Sequence, residues 1–198
     1  RELATAGLRE YTQIIIDESY RLHSLVDRML GPNKLPDVKE VNVHTLLERV
    51  RHLVLAEAGS RLKITRDYDP SIPELHVDSD RIIQALLNIA RNAARALEGI
   101  DGGKIVLRTR ILRQFTIANH RHRLVLQIAI RDNGPGVDEK VRERLFYPMV
   151  TASEGGMGMG LSIAQSLVNQ HGGLVECTSE PGRTVFNVLL PLENPNAE

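Results

Sequence analysis

Residues 84–93 read Gln84-Ala-Leu-Leu-Asn88-Ile-Ala-Arg-Asn92-Ala93, inside a run whose apolar positions recur at helical spacing. Leu86, Ala90, Ala93 and Leu97 make one stripe, and Gln84, Asn88, Asn92 and Arg95 make another. A helix is therefore expected over 79–98, with Asp78 or Ser79 as its N-cap. Asn is a poor helix former because its amide competes for backbone hydrogen bonds, so two of them at i, i+4 need a reason. A carboxamide oxygen is a hard neutral ligand suited to Mg²⁺, and a neighbouring guanidinium suits phosphate oxygens. Solvent exposure or capping of a loop would explain the pair equally well when it is taken alone.

Two glycine-containing segments follow. Asp132-Asn-Gly-Pro-Gly136 closes the strand-like run Leu126-Gln-Ile-Ala-Ile-Arg131, and its glycines allow a tight turn that no side chain blocks. An Asp at that strand end can accept a hydrogen bond from an exocyclic amine such as that of adenine. An ordinary Asn-Gly turn is the plainer reading. Gly155-Gly-Met-Gly-Met-Gly160 opens onto Leu161-Ser-Ile-Ala-Gln-Ser-Leu-Val168, which reads as a helix. Glycines leading into a helix N-terminus offer free N–H groups and the positive dipole end to an anion. No Gly-Lys-Ser/Thr follows, so this is not a P-loop. The preceding Phe146-Tyr-Pro-Met-Val150 is no clear buried strand, so it is not a dinucleotide fingerprint either.

Working outward, Leu46, Leu47, Val50, Leu53 and Val54 predict an amphipathic helix over 43–58. Strands are expected at 62–68, near 75–77, at 104–113, at 123–131, near 174–179 and at 184–190. A long hairpin tip containing Asn119-His-Arg-His122 is expected between the third and fourth, and a helix over about 161–171. Strands and helices do not alternate, which favours an α+β two-layer sandwich, a mixed sheet with helices on one face. Upstream, Leu8, Ile15, Leu22 and Met29 recur at sevens, predicting one long helix over 8–30 that stops at Gly31-Pro32. Such a seam either packs on its own domain or forms half of a dimerising hairpin; Leu3 and Thr5-Ala-Gly7 favour the hairpin. The expected organisation is 1–30 hairpin, 31–40 linker, 41–192 catalytic domain and 193–198 tail.

The 198 residues carry 25 Lys and Arg against 25 Asp and Glu, which argues against a nucleic-acid binder working through bulk positive charge. The single cysteine, Cys177, excludes an internal disulfide framework and fits a reducing compartment. No apolar run approaches the roughly 20 residues of a membrane span. With no leader pattern at the N-terminus, a cytoplasmic fragment of a longer protein is the expectation.

Taken in order, the series continues with Leu145-Phe-Tyr-Pro148, Gly156-Met-Gly-Met-Gly160-Leu-Ser and Pro181-Gly-Arg-Thr184-Val-Phe-Asn-Val-Leu-Leu-Pro191. From about 41 to 192 the chain resembles the catalytic ATP-binding domain of bacterial sensor histidine kinases, within the wider gyrase and MutL ATPase fold. Residues 8–30 resemble the second helix of the dimerisation and phosphotransfer hairpin. Arg66-Asp-Tyr-Asp-Pro70 and Phe146-Tyr-Pro-Met-Val150 are similar to the nitrogen-regulation group of these kinases.

The resemblance implies ATP and Mg²⁺ as ligands. It implies that Asn92 binds the metal, with Asn88 beside it near the phosphates and Arg95 as a basic phosphate contact. Asp132 would take the adenine amine above a floor of Gly134 and Gly136, with Thr184 in the adjoining water network. Phe146 would position a lid shaped by Gly156, Gly158, Met159, Gly160 and Leu161. The implied partners are the receiver domain of an NtrC-like response regulator, a PII-like signal protein, and a second copy through the helical hairpin.

Met157 and Met159 stand where the family usually has a small polar residue and Leu, so affinity drops if a hydroxyl at 157 contributes. No His-Glu-x-x-Asn-Pro box surrounds His23, His44, His52, His76, His120 or His122. The acceptor His is expected upstream of Arg1, and the fragment alone should not autophosphorylate. Hydrolysing relatives carry Glu at the position of Asn88, and an amide cannot take a proton from water, so ATP should be held for transfer. A hydrolysing gyrase- or MutL-like ATPase and a non-catalytic scaffold with a degenerate pocket are the rival readings.

Overall fold

The computed structural model describes residues 36–148, 150 and 158–192. The expected helix over 8–30, the Gly155–Met157 part of the glycine loop and the tail at 193–198 lie outside the described residues. The chain divides into two units, Arg1–Pro36 and Asp37–Glu198, and every element below belongs to the second.

Strand β1, Val38–Val41, leads into helix α1, Val43–Ala58, whose first turn is capped by Asn42 Oδ1 accepting the His44 N–H at 2.9 Å. Val43, Leu46, Leu47, Val50 and Val54 form its buried face, and Gly59 (φ 69°) ends it. Strands β2, Lys63–Asp67, and β3, Leu75–Asp78, follow, and β3 runs into helix α2, Ser79–Ala96. The long strands β4, Lys104–Ile117, and β5, His120–Asp132, form a hairpin. After them come the short helix α3, Glu139–Arg142, helix α4, Gly160–Asn169, and strands β6, Leu174–Glu180, and β7, Arg183–Pro191.

Five strands form one sheet in the order β2-β4-β5-β7-β6, with β2 and β4 parallel and the other pairs antiparallel. The mixed sheet expected from the irregular order of elements is therefore present. Leu126, Ile128 and Ile130 of β5 and Phe186, Val188 and Leu190 of β7 face a core shared with α1, α2 and α4. On α2, Ile82, Ile83, Ala85, Leu86, Ile89, Ala90 and Ala93 are buried, which gives this polar-faced helix a broad apolar side.

Two differences from the sequence expectation have local causes. The linker expected at 31–40 overlaps β1 from Val38 onward. That strand pairs antiparallel with β3, Val38 opposite Asp78 and Val41 opposite Leu75, a long-range partner that no local pattern announces. The hairpin tip expected around 113–123 is mostly strand, leaving only Ala118-Asn119 as the turn. The cause is a second apolar cluster of Ile117, Val125 and Leu189, joined by Leu112, Phe115 and Leu174. Leu112 and Ile117 are an odd number apart, so strict alternation would put them on opposite faces. Gln114, left-handed at φ 52°, resets the alternation between them.

Asp78 joins three elements. Its Oδ1 accepts the Arg81 N–H at 3.2 Å, its Oδ2 accepts the Asp37 N–H at 3.1 Å, and its own N–H donates to His171 Nε2 at 3.1 Å. His171 Nδ1 in turn donates to the Leu167 carbonyl at 2.8 Å, so the ring is held as the Nδ1–H tautomer. Burial pushes the Asp78 pKa up, but the backbone N–H donors and the Arg81 guanidinium outweigh it, and the net displacement is downward. Its stabilisation is thus present above the unfolded-state pKa and fades as pH falls through the lower folded value. Asp78→Ala is expected to cost about 1–2 kcal/mol at neutral pH and less in acid. Urea unfolding at two pH values checks this; an equal cost at both would show that the charge is irrelevant.

Candidate functional site

The strand end carrying Asp132 is the most polar part of the core. Asp132 lies directly across from Thr184 on β7, and Thr184 directly across from Ser179 on β6. Asp132 is 2% exposed and Thr184 4%. Asp132 Oδ1 accepts the Gly134 N–H at 2.8 Å, which leaves acceptor capacity on the carboxylate. Burial pushes its pKa up, against the opposing hydrogen bonds from Gly134 and its own backbone N–H.

The turn after Asp132 is fixed on several sides. A Cβ at Gly134 would sit 2.8 Å from Asp132 Oδ1 and 3.2 Å from the Ala96 carbonyl at the end of α2, so no larger residue fits. The Gly134 carbonyl accepts the Gly182 N–H at 2.8 Å. Gly136 takes φ 90° with its Cα against the Glu180–Pro181 backbone. Asn133, to which the sequence motif assigns no role, holds the turn in place. Its Oδ1 accepts the Lys104 N–H at 2.7 Å and its Nδ2 donates to the Gly102 carbonyl at 3.1 Å, clamping the turn to the start of β4.

At the other end of the site, α4 begins at Gly160, whose Cβ position lies 3.8 Å from Asn88 Cβ and 3.9 Å from Asn88 Cγ. Met159 occupies the N-cap position without a side-chain cap bond, and Ser162 Oγ donates backward to the Met159 carbonyl at 2.9 Å. The opening N–H groups of α4 are therefore not taken by a cap, and they stand beside the half-buried Asn88. Asn92 is half-buried one turn further along α2, and Arg95 is exposed in its last turn. From Asn88 to Ala96, the helix separates the uncapped α4 end from the Asp132 turn by about 12 Å at 1.5 Å per residue. One side of the site thus favours anions and the other offers a buried acceptor. A nucleoside polyphosphate has those chemistries at its two ends.

Of the remaining expected residues, Leu161 is buried, and Gly158 takes φ 63° just before α4. Phe146 is half-buried against the main core. Gly156 and Met157 lie outside the described residues. Ser179 was missed. It pairs with Thr184 because Glu180 and Arg183 are joined through Pro181-Gly182 in a type II pattern. That Pro-Gly dipeptide was the available signal. Cys177, two residues before Ser179, is pushed up to about 11 by burial, with the Asp132 charge adding to it, so the thiol stays protonated at neutral pH.

Among the described residues no group of three or more His, Cys, Asp or Glu could hold a metal ion. A divalent cation here would need oxygens of another kind. The Asn92 amide with phosphate oxygens and water is a donor set that suits Mg²⁺. Among the described residues no helix is long and apolar enough to cross a membrane.

Known proteins bear on this geometry. The family described as "Histidine kinase-, DNA gyrase B-, and HSP90-like ATPase" matches residues 77–194. The sensory histidine kinase/phosphatase NtrB of Klebsiella oxytoca is 50% identical over 192 residues, 97% of this chain and 55% of that protein. NtrB of Vibrio alginolyticus is 47% identical over 190 residues, 96% of this chain and 54% of that protein. The chain therefore spans about half the length of the curated relatives it matches. Among solved structures, full-length ShkA in complex with AMPPNP superposes with a TM-score of 0.70 at 26% identity, covering 96% of this chain and 40% of that one.

Proposed function

Because the chain belongs to the histidine kinase-, DNA gyrase B- and HSP90-like ATPase family, we propose that it is the ATP-binding part of a two-component sensor histidine kinase of the nitrogen-regulation type. The observation that carries this reading is the uncapped α4 N-terminus beside Asn88 in the middle of α2, with buried Asp132 in the turn that touches the C-terminal end of the same helix. In it, Asp132 accepts from the adenine amine, with Gly134 and Gly136 as backbone floor and Thr184 beside it. The N-terminal N–H groups of α4 take phosphate oxygens, with Arg95 adding charge, and Asn92 ligates Mg²⁺. Phe146, Gly156, Gly158, Met159, Gly160 and Leu161 shape the lid.

ATP supplies the phosphoryl group. The chain's own residues supply position and charge neutralisation. The Asn88 amide has no proton-accepting capacity toward water, so the site holds ATP for attack by a histidine rather than hydrolysing it. In the whole protein the phosphoryl passes to that histidine and then to an Asp on an NtrC-like receiver domain. A PII-like signal protein as regulator and a homodimer through the 1–30 hairpin complete the proposal.

Titration of Mg·ATP into the chain tests it. Binding with negligible steady hydrolysis is expected. No binding at millimolar nucleotide would sink the proposal, and sustained hydrolysis would favour a gyrase- or MutL-like ATPase. For Asn92→Ala the expected result is that affinity becomes the same with Mg²⁺ and with EDTA, while the circular dichroism spectrum is unchanged. A variant whose affinity still depends on Mg²⁺ would refute the metal role.

A further inference from the structure

The side of the sheet that faces the helices is organised in cross-strand rows, and one row differs from the rest. Ile128–Val188–Val175 is wholly apolar, and Ile130–Phe186–Cys177 carries only a thiol. The row at the strand ends is Asp132–Thr184–Ser179. It holds two of the three buried polar residues found among the described residues, the third being Thr109. Polar side chains in that position need partners within reach; Asp132 has the Gly134 N–H, and Thr184 has Ser179. Its Oγ accepts the Val137 N–H at 2.8 Å and lies 3.0 Å from Thr184 Oγ1.

A serine hydroxyl has one proton and two lone pairs, so Ser179 can serve both neighbours at once. The effect is to join two things that the sequence keeps far apart. Val137 leaves the Asp132 turn immediately after Gly136, and Gly136 is pressed against the backbone of Glu180 and Pro181. Thr184 stands beside Asp132. We infer that Ser179 is a positioning residue for nucleotide binding, holding the Thr184 hydroxyl and the Val137 backbone as one unit around the base end of the pocket. Without it the Thr184 hydroxyl is free to rotate, and the Val137 N–H loses its acceptor. The phosphate end, about two turns away along α2, is untouched.

This inference rests on the nucleotide reading, and the test keeps the two separate. Mg·ATP and Mg·tripolyphosphate are titrated into the chain and into Ser179→Ala and Ser179→Thr, with amide exchange at Val137 followed in each. Ser179→Ala is expected to bind ATP about fivefold more weakly, to bind tripolyphosphate unchanged, and to exchange faster at Val137. Ser179→Thr, which keeps the hydroxyl, should restore ATP affinity and slow exchange. Ser179→Ala binding ATP as tightly as the parent chain overturns the inference. So does an equal loss of ATP and tripolyphosphate, which would mark Ser179 as a general support of the fold. A parent chain that binds neither ligand overturns the nucleotide reading instead.

Discussion

Replacing Asp132 by Asn is expected to weaken ATP binding by roughly 10- to 150-fold, as for a lost hydrogen bond to a charged group of about 1.5–3 kcal/mol, while making the unliganded domain more stable. Both effects follow from one environment. Asp132 is 2% exposed and its carboxylate bonds the Gly134 N–H. Asn keeps an oxygen for that N–H but presents an amino group where the ligand's amine would donate, so donor meets donor. The preference for ATP over GTP should narrow at the same time, since an amino group suits the guanine carbonyl. Equal loss for both nucleotides would count against the adenine role.

The stability gain comes from the raised pKa. Asp132 favours the fold below its unfolded-state pKa, and that contribution is lost as pH rises through the higher folded value. Above that window the carboxylate must be charged inside the core, whereas Asn is neutral at every pH. A gain of about 1 kcal/mol, or roughly 2–4 °C in Tm, is therefore expected at neutral pH and should vanish in acid. Thermal unfolding across pH without nucleotide measures it. A gain of the same size in acid would show that charge is not its source.

Gly173→Ala is expected to destabilise the domain by roughly 3–5 kcal/mol, an overpacking effect at the severe end. Against a total stability of about 5–15 kcal/mol, that removes a large share of what holds the domain folded. Past the end of α4, Gly172 takes φ 68° and the Gly173 N–H returns to the Val168 carbonyl at 3.0 Å, the Schellman pattern. A Cβ on Gly173 would lie 2.4 Å from the Leu189 carbonyl oxygen, 2.8 Å from Val168 Cγ1 and 2.9 Å from Leu190 Cδ2. The first of these is β7 backbone, which cannot yield. The neighbouring Gly172 has only Pro191 Cγ at 3.8 Å, so Gly172→Ala should cost about 1 kcal/mol for its left-handed backbone alone. Denaturant unfolding of the two variants decides the matter. A Gly173→Ala chain within 1 kcal/mol of the parent would contradict this packing.

The parts of the fold that were legible are those written in local periodicity. Helix α1 occupies Val43–Ala58 as expected, and α2 starts at Ser79 with Asp78 as cap because apolar spacing and capping chemistry agree there. The parts not legible depend on distant partners. Strand β1 has the pattern Val-Lys-Glu-Val and an exposed Val38, and only pairing with β3 makes it a strand. Helix α3 is four residues long and buries nothing, so it leaves no apolar stripe to find. For the site, a strand end and its glycines pointed to Asp132, Gly134 and Gly136, and the family resemblance to Thr184; the structure brings the four together. Asn88 and Gly160 also meet. Asn133, and Ser179 through its bond to Val137, escape a local reading because those hydrogen bonds join residues about 30 to 42 positions apart; only the Ser179–Thr184 pair, five apart across Pro181-Gly182, left a local signal.

The long β4–β5 hairpin also bears on how the sheet assembles. Its strands are joined by two residues and pair from Ile117 and His120 to Ile105 and Asp132 with one gap at Gln114, so closing it demands little loop entropy. The parallel pairing of β2 with β4 joins residues 41 positions apart, as at Asp67 and Arg108, and β7 reaches β5 from further still, 52 positions at Asp132 and Thr184. Contacts of that separation form slowly. The hairpin, with its own small apolar cluster near the tip, is therefore expected to form before β2 and β7 pair on either side of it. On that ordering Thr184, which β7 brings beside Asp132, is expected to join the site only after the hairpin has closed.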